Sequence, residues 1–215
     1  MSAVDLTLYG ILDPQRSLER DLDALADAAI AGGCTLLQLR DKLGSTRDML
    51  SRAEAIRSAI AGRVPFLVND RVDVALAVGA DGVHLGQDDM PVGEARRLLG
   101  PDAIIGLSVK TRQQAVQLPG RDLSYVCIGG VFETRSKDNP ASIGIDGWIE
   151  LAALCRNAMP RPLPVGAIAG IDRNRAFSLV KAGADGVALI SALFMEQNVR
   201  KAAAAFRETI QRARS

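Results

Sequence analysis

The sequence predicts an α/β fold, a single (β/α)8 TIM barrel over residues 1–215. Three features predict it: short apolar runs alternate with helical segments eight times, one loop-and-strand motif recurs half a chain apart, and polar side chains follow the strands. Strands that alternate with helices favour a parallel sheet, and about 200 to 250 residues is a usual length for one such barrel.

Each predicted element follows from the spacing of its apolar residues. The first helix is predicted from one apolar face, and Gly32 with Gly33 ends the segment. The residues of that face are Leu18, Leu22, Leu25, Ala26, Ala29 and Ile30. The predicted strands lie near 6–12, 34–40, 65–69, 82–86, 103–108, 123–129, 163–168 and 186–190. The predicted helices lie near 17–31, 46–61, 71–78, 92–99, 111–117, 147–158, 173–182 and 198–213.

An internal repeat supports the count of eight units. Gly-Ala-Asp-Gly-Val-His-Leu at 79–85 is nearly matched by Gly-Ala-Asp-Gly-Val-Ala-Leu at 183–189, at the fourth and eighth predicted strands. A barrel with quasi-twofold internal symmetry would place the copies this way. The alternative is that the motif is simply a good helix-to-strand loop, and either explanation marks two equivalent connections.

Composition excludes several classes of protein. Apolar residues make up 48% of the chain and aromatic residues 4%, which suits Ala-rich helices packed over parallel strands. The formal net charge of +1 gives no support for a nucleic-acid or membrane partner. The three cysteines lack metal-ligand spacing, and no apolar run approaches the roughly 20 residues that span a bilayer. We expect reduced core thiols in a soluble cytoplasmic protein; a homo-oligomer through its Ala-rich helices is a weaker expectation.

The end of the second predicted strand is the first candidate binding site. Gln38, Arg40 and Lys42 alternate with Leu39 and Asp41, so the strand period of two sends the first three side chains to one side. An amide, a guanidinium and an ammonium aimed together suit a phosphate or diphosphate. The alternative is a solvated strand end at which Arg40 pairs with Asp41.

Carboxylates follow the next two predicted strands. Asn69 and Asp70 end the third strand, and Asp88 and Asp89 follow the fourth. The carboxyl ends of barrel strands form the active-site face, and Mg²⁺ prefers a few carboxylates together with phosphate oxygens and water. The sequence therefore predicts a magnesium site, but leaves open whether Asp88 or Asp89 points inward, because either could be a charge at a helix amino terminus. Asp73, inside the following helix, is a weaker candidate.

Later loops are candidates for a second anion site. Gly170 and the pair Ile190 and Ser191 follow the seventh and eighth strands, where barrels commonly bind phosphate with backbone N–H groups. The long loop at 133–147 is typical of a lid or binding segment, and its hydroxyls and Lys137 could bind an anion, a weak signal alone. His84 lies within a strand, which favours a core position over catalysis.

Seven segments, in order, resemble the thiamine phosphate synthase family over nearly the whole chain. They are Gln-Leu-Arg-Asp-Lys at 38–42, Val-Asn-Asp at 68–70, His-Leu-Gly-Gln-Asp-Asp at 84–89, Gly-Leu-Ser at 106–108, Thr-Arg-Ser-Lys at 134–137, Ala-Ile-Ala-Gly-Ile at 167–171 and Ile-Ser at 190–191. The family joins hydroxymethylpyrimidine diphosphate to a thiazole phosphate, with Mg²⁺, and releases diphosphate. Both substrates are small molecules.

The resemblance assigns roles to residues of this sequence. Metal ligands would be Asp70 and Asp89. The pyrimidine diphosphate would be held by Gln38, Leu39, Arg40, Asp41, Lys42, Asn69, Ser108 and Lys137. The thiazole phosphate would be held by Thr134, Arg135, Ser136, Gly170, Ile190 and Ser191. The catalytic residues would be Arg40, Lys42, Ser108 and Lys137, stabilising the departing diphosphate in a dissociative displacement.

Three positions in two segments depart from the family pattern. Glu133 and Ser136 stand in a run that is usually Pro-Thr-x-Thr-Lys, and Ala169 stands where a first glycine is usual. Glu133 must point away from a phosphate or pair with Arg135. Ala169 leaves one glycine fewer for close approach of the backbone to a ligand.

Two other functions use the same fold. A thiazole tautomerase would act on the thiazole phosphate alone and would not need a diphosphate and metal site. A non-catalytic phosphate-binding barrel would keep Gly170 and Ser191 but would have no use for the other strand ends. The synthase is favoured by the joint retention of Arg40, Lys42, Asp70, Asp89 and Lys137.

Overall fold

A computed structural model describes residues 4–133 and 142–215. Eight parallel strands form a closed barrel in sequence order, and the eighth strand pairs with the first. The strands are β1 (Leu8–Leu12), β2 (Leu36–Leu39), β3 (Phe66–Asn69), β4 (Gly82–Leu85), β5 (Ile104–Val109), β6 (Tyr125–Ile128), β7 (Val165–Ile168) and β8 (Gly186–Leu189). The predicted TIM barrel is confirmed.

Helices follow the strands and cover the outside of the barrel. They are α1 (Leu22–Ala31), α2 (Thr46–Ile60), α3 (Val72–Val78), α4 (Val92–Leu99), α5 (Arg112–Val116), α6 (Gly144–Ala158), α7 (Arg173–Lys181), α8 (Ser191–Phe194) and α9 (Val199–Arg214). Among the described residues, none of these helices is both long and apolar enough to cross a membrane.

The first helix begins later than predicted. Residues Pro14–Arg16 form a short 3₁₀ turn, and Leu18 and Glu19 both have positive φ, at 54° and 57°. Two successive left-handed residues cannot continue a right-handed helix. The expected helix over 17–31 is therefore confirmed only from Leu22 onward, and Leu18 is exposed instead of facing the core. Helix α8 was not predicted, since a single turn carries too little apolar periodicity to be recognised.

Successive side chains of a strand point to opposite faces, so the barrel has one apolar region outside the strands and another inside them. Leu37 and Leu39 of β2 point outward to the main core under the helices, while Leu36 packs inside the barrel with Tyr9 and Tyr125. Gly106 makes room there, because a Cβ at this position would lie 2.1 Å from Cζ of Tyr125. The barrel interior thus holds two large phenol rings below its carboxyl-terminal face.

The two copies of the repeat make the same connection. The Asp81 carboxylate accepts a hydrogen bond from the Phe66 amide at 2.8 Å, and the Asp185 carboxylate accepts one from the Val165 amide at 2.7 Å. Each aspartate therefore fastens its helix-to-strand loop to the preceding strand. The three cysteines are free and buried, as predicted.

Candidate active site

Two adjoining cavities open at the carboxyl ends of the strands. The first, here called the central cavity, has a volume of about 300 Å³ and lies over the barrel interior, with Tyr9, Ile11 and Ala188 in its walls. The second, here called the side cavity, has a volume of about 310 Å³ and lies beside β3 and β4. Both are lined by Arg40, Asn69, His84, Ser108 and Lys110. One continuous region therefore offers an apolar space for a ring next to a strongly polar one.

The end of β2 divides its polar side chains between these cavities. Gln38 is buried in the barrel and lines the central cavity, and Lys42 lines the side cavity. Arg40 lines both, and its Nη1 lies 2.5 Å from Oδ2 of Asp13. Because β2 ends at Leu39, the period of two no longer orients Arg40 and Lys42, yet the side chains still reach one region.

Leu39 and Asp41, which the resemblance includes among the substrate-binding residues, have side chains that line neither cavity. Leu39 is fully buried in the outer core, on the opposite face of β2 from Gln38. The Asp41 carboxylate is buried against Arg52 and accepts a hydrogen bond from the Gly44 amide at 2.8 Å. Arg40 and Asp41 do not pair with each other, since each has another partner.

Asp70 and Asp89 approach each other at the side cavity. Asp70 follows β3 with a positive φ of 62°, and its carboxylate contacts the ammonium of Lys42. Burial raises the pKa of Asp70, and a hydrogen bond with Asp89 raises it further, while Lys42 opposes the shift. Asp89 also accepts a hydrogen bond from the Gly86 amide at 2.7 Å.

This arrangement fits a divalent cation. Burial and the neighbouring carboxylate both disfavour the charged form of Asp70, and a cation between Asp70 and Asp89 would favour it. Two carboxylates with room for phosphate oxygens and water form the kind of ligand set that Mg²⁺ takes. Asp73 is not part of it, because its exposed carboxylate pairs with Arg71 at 2.5 Å.

Ser108 is joined to the barrel interior through His84. Nε2 of His84 lies 2.9 Å from Oγ of Ser108, and Nδ1 lies 2.9 Å from the hydroxyl of Tyr125. That hydroxyl lies 3.0 Å from the hydroxyl of Tyr9, which donates to Oε1 of Gln38 at 3.0 Å. His84 has the core position that was predicted, and it also lines both cavities.

The loops after β7 and β8 line the opposite side of the central cavity. Gly170, Ile190 and Ser191 all contribute to its wall, together with Ala169. Gly170 has a φ of 63°, and a Cβ there would lie 2.4 Å from the backbone oxygen of Glu133. A side chain at position 170 is therefore excluded on both grounds. Thr134, Arg135, Ser136 and Lys137, predicted as site residues, lie outside the described residues.

Sequence reasoning missed several residues of the site. Lys110 lines both cavities, and its position directly after β5, at the active-site face of a barrel, could have identified it. Tyr9 and Tyr125 are the two tyrosines of the sequence, but nothing local indicated that their hydroxyls meet. Asp13 carried no signal, because its partner Arg40 is 27 positions away.

The fold and this site define a class: a TIM barrel with two adjoining cavities at its carboxyl-terminal face, where barrels of this kind have their active sites. Residues 8–193 match the family described as thiamine monophosphate synthase. The chain is 52% identical over 215 residues to a thiamine-phosphate synthase of Agrobacterium fabrum, with 99% of this chain and 97% of that protein covered. It is 42% identical to a thiamine-phosphate synthase of Methanosarcina barkeri over 210 residues, 98% of this chain and 93% of that one.

A solved structure agrees with these sequence matches. Thiamine phosphate pyrophosphorylase from Pyrococcus furiosus superimposes with a TM-score of 0.84 and is 34% identical, covering 99% of this chain and 98% of its own. The chain belongs to the thiamine-phosphate synthase family. It is therefore an enzyme, a transferase.

Proposed function

We propose that the enzyme condenses 4-amino-2-methyl-5-hydroxymethylpyrimidine diphosphate with hydroxyethylthiazole phosphate, giving thiamine phosphate and diphosphate. One observation carries this proposal: a cavity of ring size shares its wall with a cavity that holds Arg40, Lys42 and the Asp70 and Asp89 pair. A pyrimidine ring would occupy the first and its diphosphate the second. The family membership supports the same reaction.

The side cavity suits the diphosphate because it gathers cations at the ends of several strands. Arg40 and Lys42 come from the end of β2, and Lys110 follows β5. Asn69 and Ser108 add hydrogen-bonding groups in the shared wall. Lys137, which the resemblance adds to this set, is proposed on that ground alone. Bound Mg²⁺ at Asp70 and Asp89 would supply further positive charge to the diphosphate oxygens.

The reaction needs charge stabilisation rather than a base. The bond from the pyrimidine methylene carbon to the diphosphate oxygen breaks, and the diphosphate leaves with the electron pair. The thiazole nitrogen, which carries no proton, donates its own pair to form the new carbon to nitrogen bond. Arg40 and Lys42 hold the negative charge as it develops on the leaving group, which is the dominant contribution in sites of this kind. The displacement is proposed to be dissociative.

The thiazole phosphate is assigned to the loops after β7 and β8. Gly170, Ile190 and Ser191 line the central cavity on the side opposite β3 and β4. This places the two phosphate groups at opposite sides of the ring cavity, so that the thiazole nitrogen would face the methylene carbon. Residues 134–136 belong to this proposal through the resemblance.

Release of diphosphate tests the proposal. The purified enzyme is incubated with both substrates, with each alone, and with and without Mg²⁺, and diphosphate and thiamine phosphate are quantified. We expect both products only when both substrates and the metal are present. A tautomerase would change the thiazole phosphate alone without metal, and a phosphate-binding barrel would convert neither substrate.

Variants connect the reaction to named residues. Asp70→Ala and Lys137→Ala should depress turnover far more than they lower the melting temperature. Wild-type rates in both variants would contradict the assigned mechanism.

A single domain over the full chain, a cytoplasmic location and a homo-oligomer are further proposals, and sedimentation of the purified protein tests the last.

A further inference from the structure

Five buried or half-buried side chains from five strands form one continuous hydrogen-bonded chain inside the barrel. Its order is Gln38 of β2, Tyr9 of β1, Tyr125 of β6, His84 of β4 and Ser108 of β5, with links of 3.0, 3.0, 2.9 and 2.9 Å. Both ends line the central cavity. The chain therefore connects two groups that face a bound ring from different strands.

With Oε1 of Gln38 as the acceptor of the first link, the number of hydrogens fixes the direction of the links that follow. A phenol has one hydrogen, and Tyr9 gives it to Oε1 of Gln38, so the Tyr9 oxygen must accept from Tyr125. The hydrogen of Tyr125 is then used, and its oxygen accepts from Nδ1 of His84. Burial raises the pKa of both phenols well above the ordinary value, so both keep their hydrogens.

The same count reaches the second end of the chain. With His84 as a neutral imidazole that donates from Nδ1, Nε2 has no hydrogen and accepts from the hydroxyl of Ser108. Ser108 then faces the cavity with oxygen lone pairs, as an acceptor. Gln38, whose Oε1 is held by Tyr9, faces it with amide N–H groups, as a donor.

We propose that this chain is a specificity device, in which Tyr9 and Tyr125 are positioning residues that fix opposite hydrogen-bonding polarity at Gln38 and Ser108 and so select an amino-substituted over an oxo-substituted pyrimidine. The inference rests on the proposed function. A 4-aminopyrimidine has a ring nitrogen that accepts beside an amino group that donates. Its 4-oxo analogue has a ring N–H that donates beside a carbonyl that accepts.

Binding the oxo analogue would require every hydrogen bond of the chain to reverse its direction together. Each phenol has one hydrogen to donate. If one hydrogen bond of the chain reversed alone, a neighbouring pair of groups would be left as two donors or two acceptors facing each other. Buried polar groups left unpaired are costly, which is how sites that bind by hydrogen bonds reject close analogues. A ring held only by apolar contacts would not distinguish these two molecules strongly.

The test compares two substrates in four proteins. Diphosphate release is measured with 4-amino-2-methyl-5-hydroxymethylpyrimidine diphosphate and with its 4-oxo analogue, for wild type, Tyr9→Phe, Tyr125→Phe and Thr209→Val. Thr209 is the matched control, because among the described residues its buried hydroxyl bonds only within α9, to the Ala205 carbonyl at 2.8 Å. Its loss removes one buried hydrogen bond far from the cavity.

We expect wild type to prefer the amino substrate by at least about 100-fold in kcat/KM. Each tyrosine variant should lower that ratio by about tenfold or more, because loss of the hydroxyl interrupts the chain and lets the group at one end reverse its hydrogen bonding independently of the other. Thr209→Val should leave the ratio unchanged. A general loss of folding would lower both rates and would not move their ratio. An unchanged ratio in both tyrosine variants would overturn the inference.

A measurement on wild type alone covers the case in which neither tyrosine variant folds. The 4-amino and 4-oxo forms of the free hydroxymethylpyrimidine are compared as inhibitors of wild type. The amino form should inhibit at much lower concentration, and equal inhibition would overturn the inference. Failure of the proposed function gives a different result, since wild type would then release no diphosphate from the amino substrate.

Discussion

Lys42 and Asp70 are paired: the ammonium nitrogen of Lys42 contacts Oδ2 of Asp70. One is proposed to bind diphosphate and the other to bind magnesium, so the pair joins the two halves of the polar site. Lys42 is half exposed and Asp70 has 17% of its side chain exposed, so the contact lies at the mouth of the side cavity. When Mg²⁺ and diphosphate bind together, Asp70 could contact the metal and Lys42 the diphosphate in place of each other.

The pairing predicts opposite effects of Lys42→Met on the two ligands. Without substrate, removal of a cation beside Asp70 should tighten Mg²⁺ binding, which isothermal titration calorimetry can measure. With substrate, loss of a charge that stabilises the leaving group should lower kcat/KM by about 100-fold. Lys201→Met on the exposed side of α9 is the control and should change neither quantity. Weaker Mg²⁺ binding in Lys42→Met would contradict the assignment of Asp70.

The raised pKa of Asp70 predicts a specific pH dependence of stability. Burial and Asp89 raise it, so the folded protein binds this proton more tightly than the unfolded chain does. The contribution to stability is therefore full at low pH and is lost as the pH rises through the folded-state pKa. Asp70→Asn should flatten this part of the profile, as measured by urea unfolding between pH 3 and 8.

Asp73 provides a control of opposite sign. A hydrogen bond from Arg71 lowers its pKa, so its contribution is present above the unfolded pKa and is lost as the pH falls. Because the pair is exposed, solvent screening keeps this effect small. A profile for Asp70→Asn that matches that of Asp73→Asn would contradict the predicted environment of Asp70.

The architecture could be predicted because its causes are local. Apolar spacing and the glycines that end helices recur in every unit, so the eight strands and most helices were found near their observed positions. The first helix failed at Leu18 and Glu19, where positive φ interrupts an apolar pattern that continues in sequence. Periodicity reports which residues share a face, and it cannot report where the backbone leaves the helix.

The direction of a site side chain was predictable only where the period of two still held. Gln38 lies inside the strand, and its inward direction followed from that period. The same rule sends Leu39 and Asp41 to the opposite side from Gln38. They were still predicted as binding residues, because the family resemblance assigns the whole segment 38–42 to substrate binding. Contacts such as Tyr9 with Tyr125, 116 positions apart, depend on barrel closure and have no local signal.

The pair of Arg40 and Asp13 predicts a positioning role for Asp13. Its buried carboxylate also accepts the Gln15 amide at 3.0 Å, which fixes its direction toward Arg40. Asp13→Ala would free the guanidinium and leave its charge uncompensated in a half-buried place. We expect a loss of about 1 to 3 kcal/mol in unfolding free energy and about a tenfold fall in kcat/KM, mainly through KM for the diphosphate.

Asp41→Ala is the matched comparison for Asp13→Ala. Asp41 is equally buried and equally paired with an arginine, Arg52, but its carboxylate faces away from both cavities. Its loss should lower stability to a similar extent and leave KM unchanged. A raised KM in Asp41→Ala would restore Asp41 to the binding site and contradict the structural assignment.

Ala169 predicts a stabilising substitution inside the site. Its φ of 92° is unfavourable for a residue with a Cβ, and strain of this kind costs about 1 to 3 kcal/mol. Ala169→Gly should remove that strain and add about 0.4 to 1 kcal/mol of backbone freedom to the unfolded chain, for a net stabilisation of about 1 kcal/mol. Thermal unfolding measures the change.

Ala61→Gly is the control, because Ala61 ends α2 with a φ of 49° and is exposed far from the cavity. Both variants should be more stable, but only Ala169→Gly should lower KM for the thiazole phosphate, since a glycine lets the backbone approach the ligand more closely. Destabilisation by Ala169→Gly would show that the methyl group packs usefully against the cavity wall.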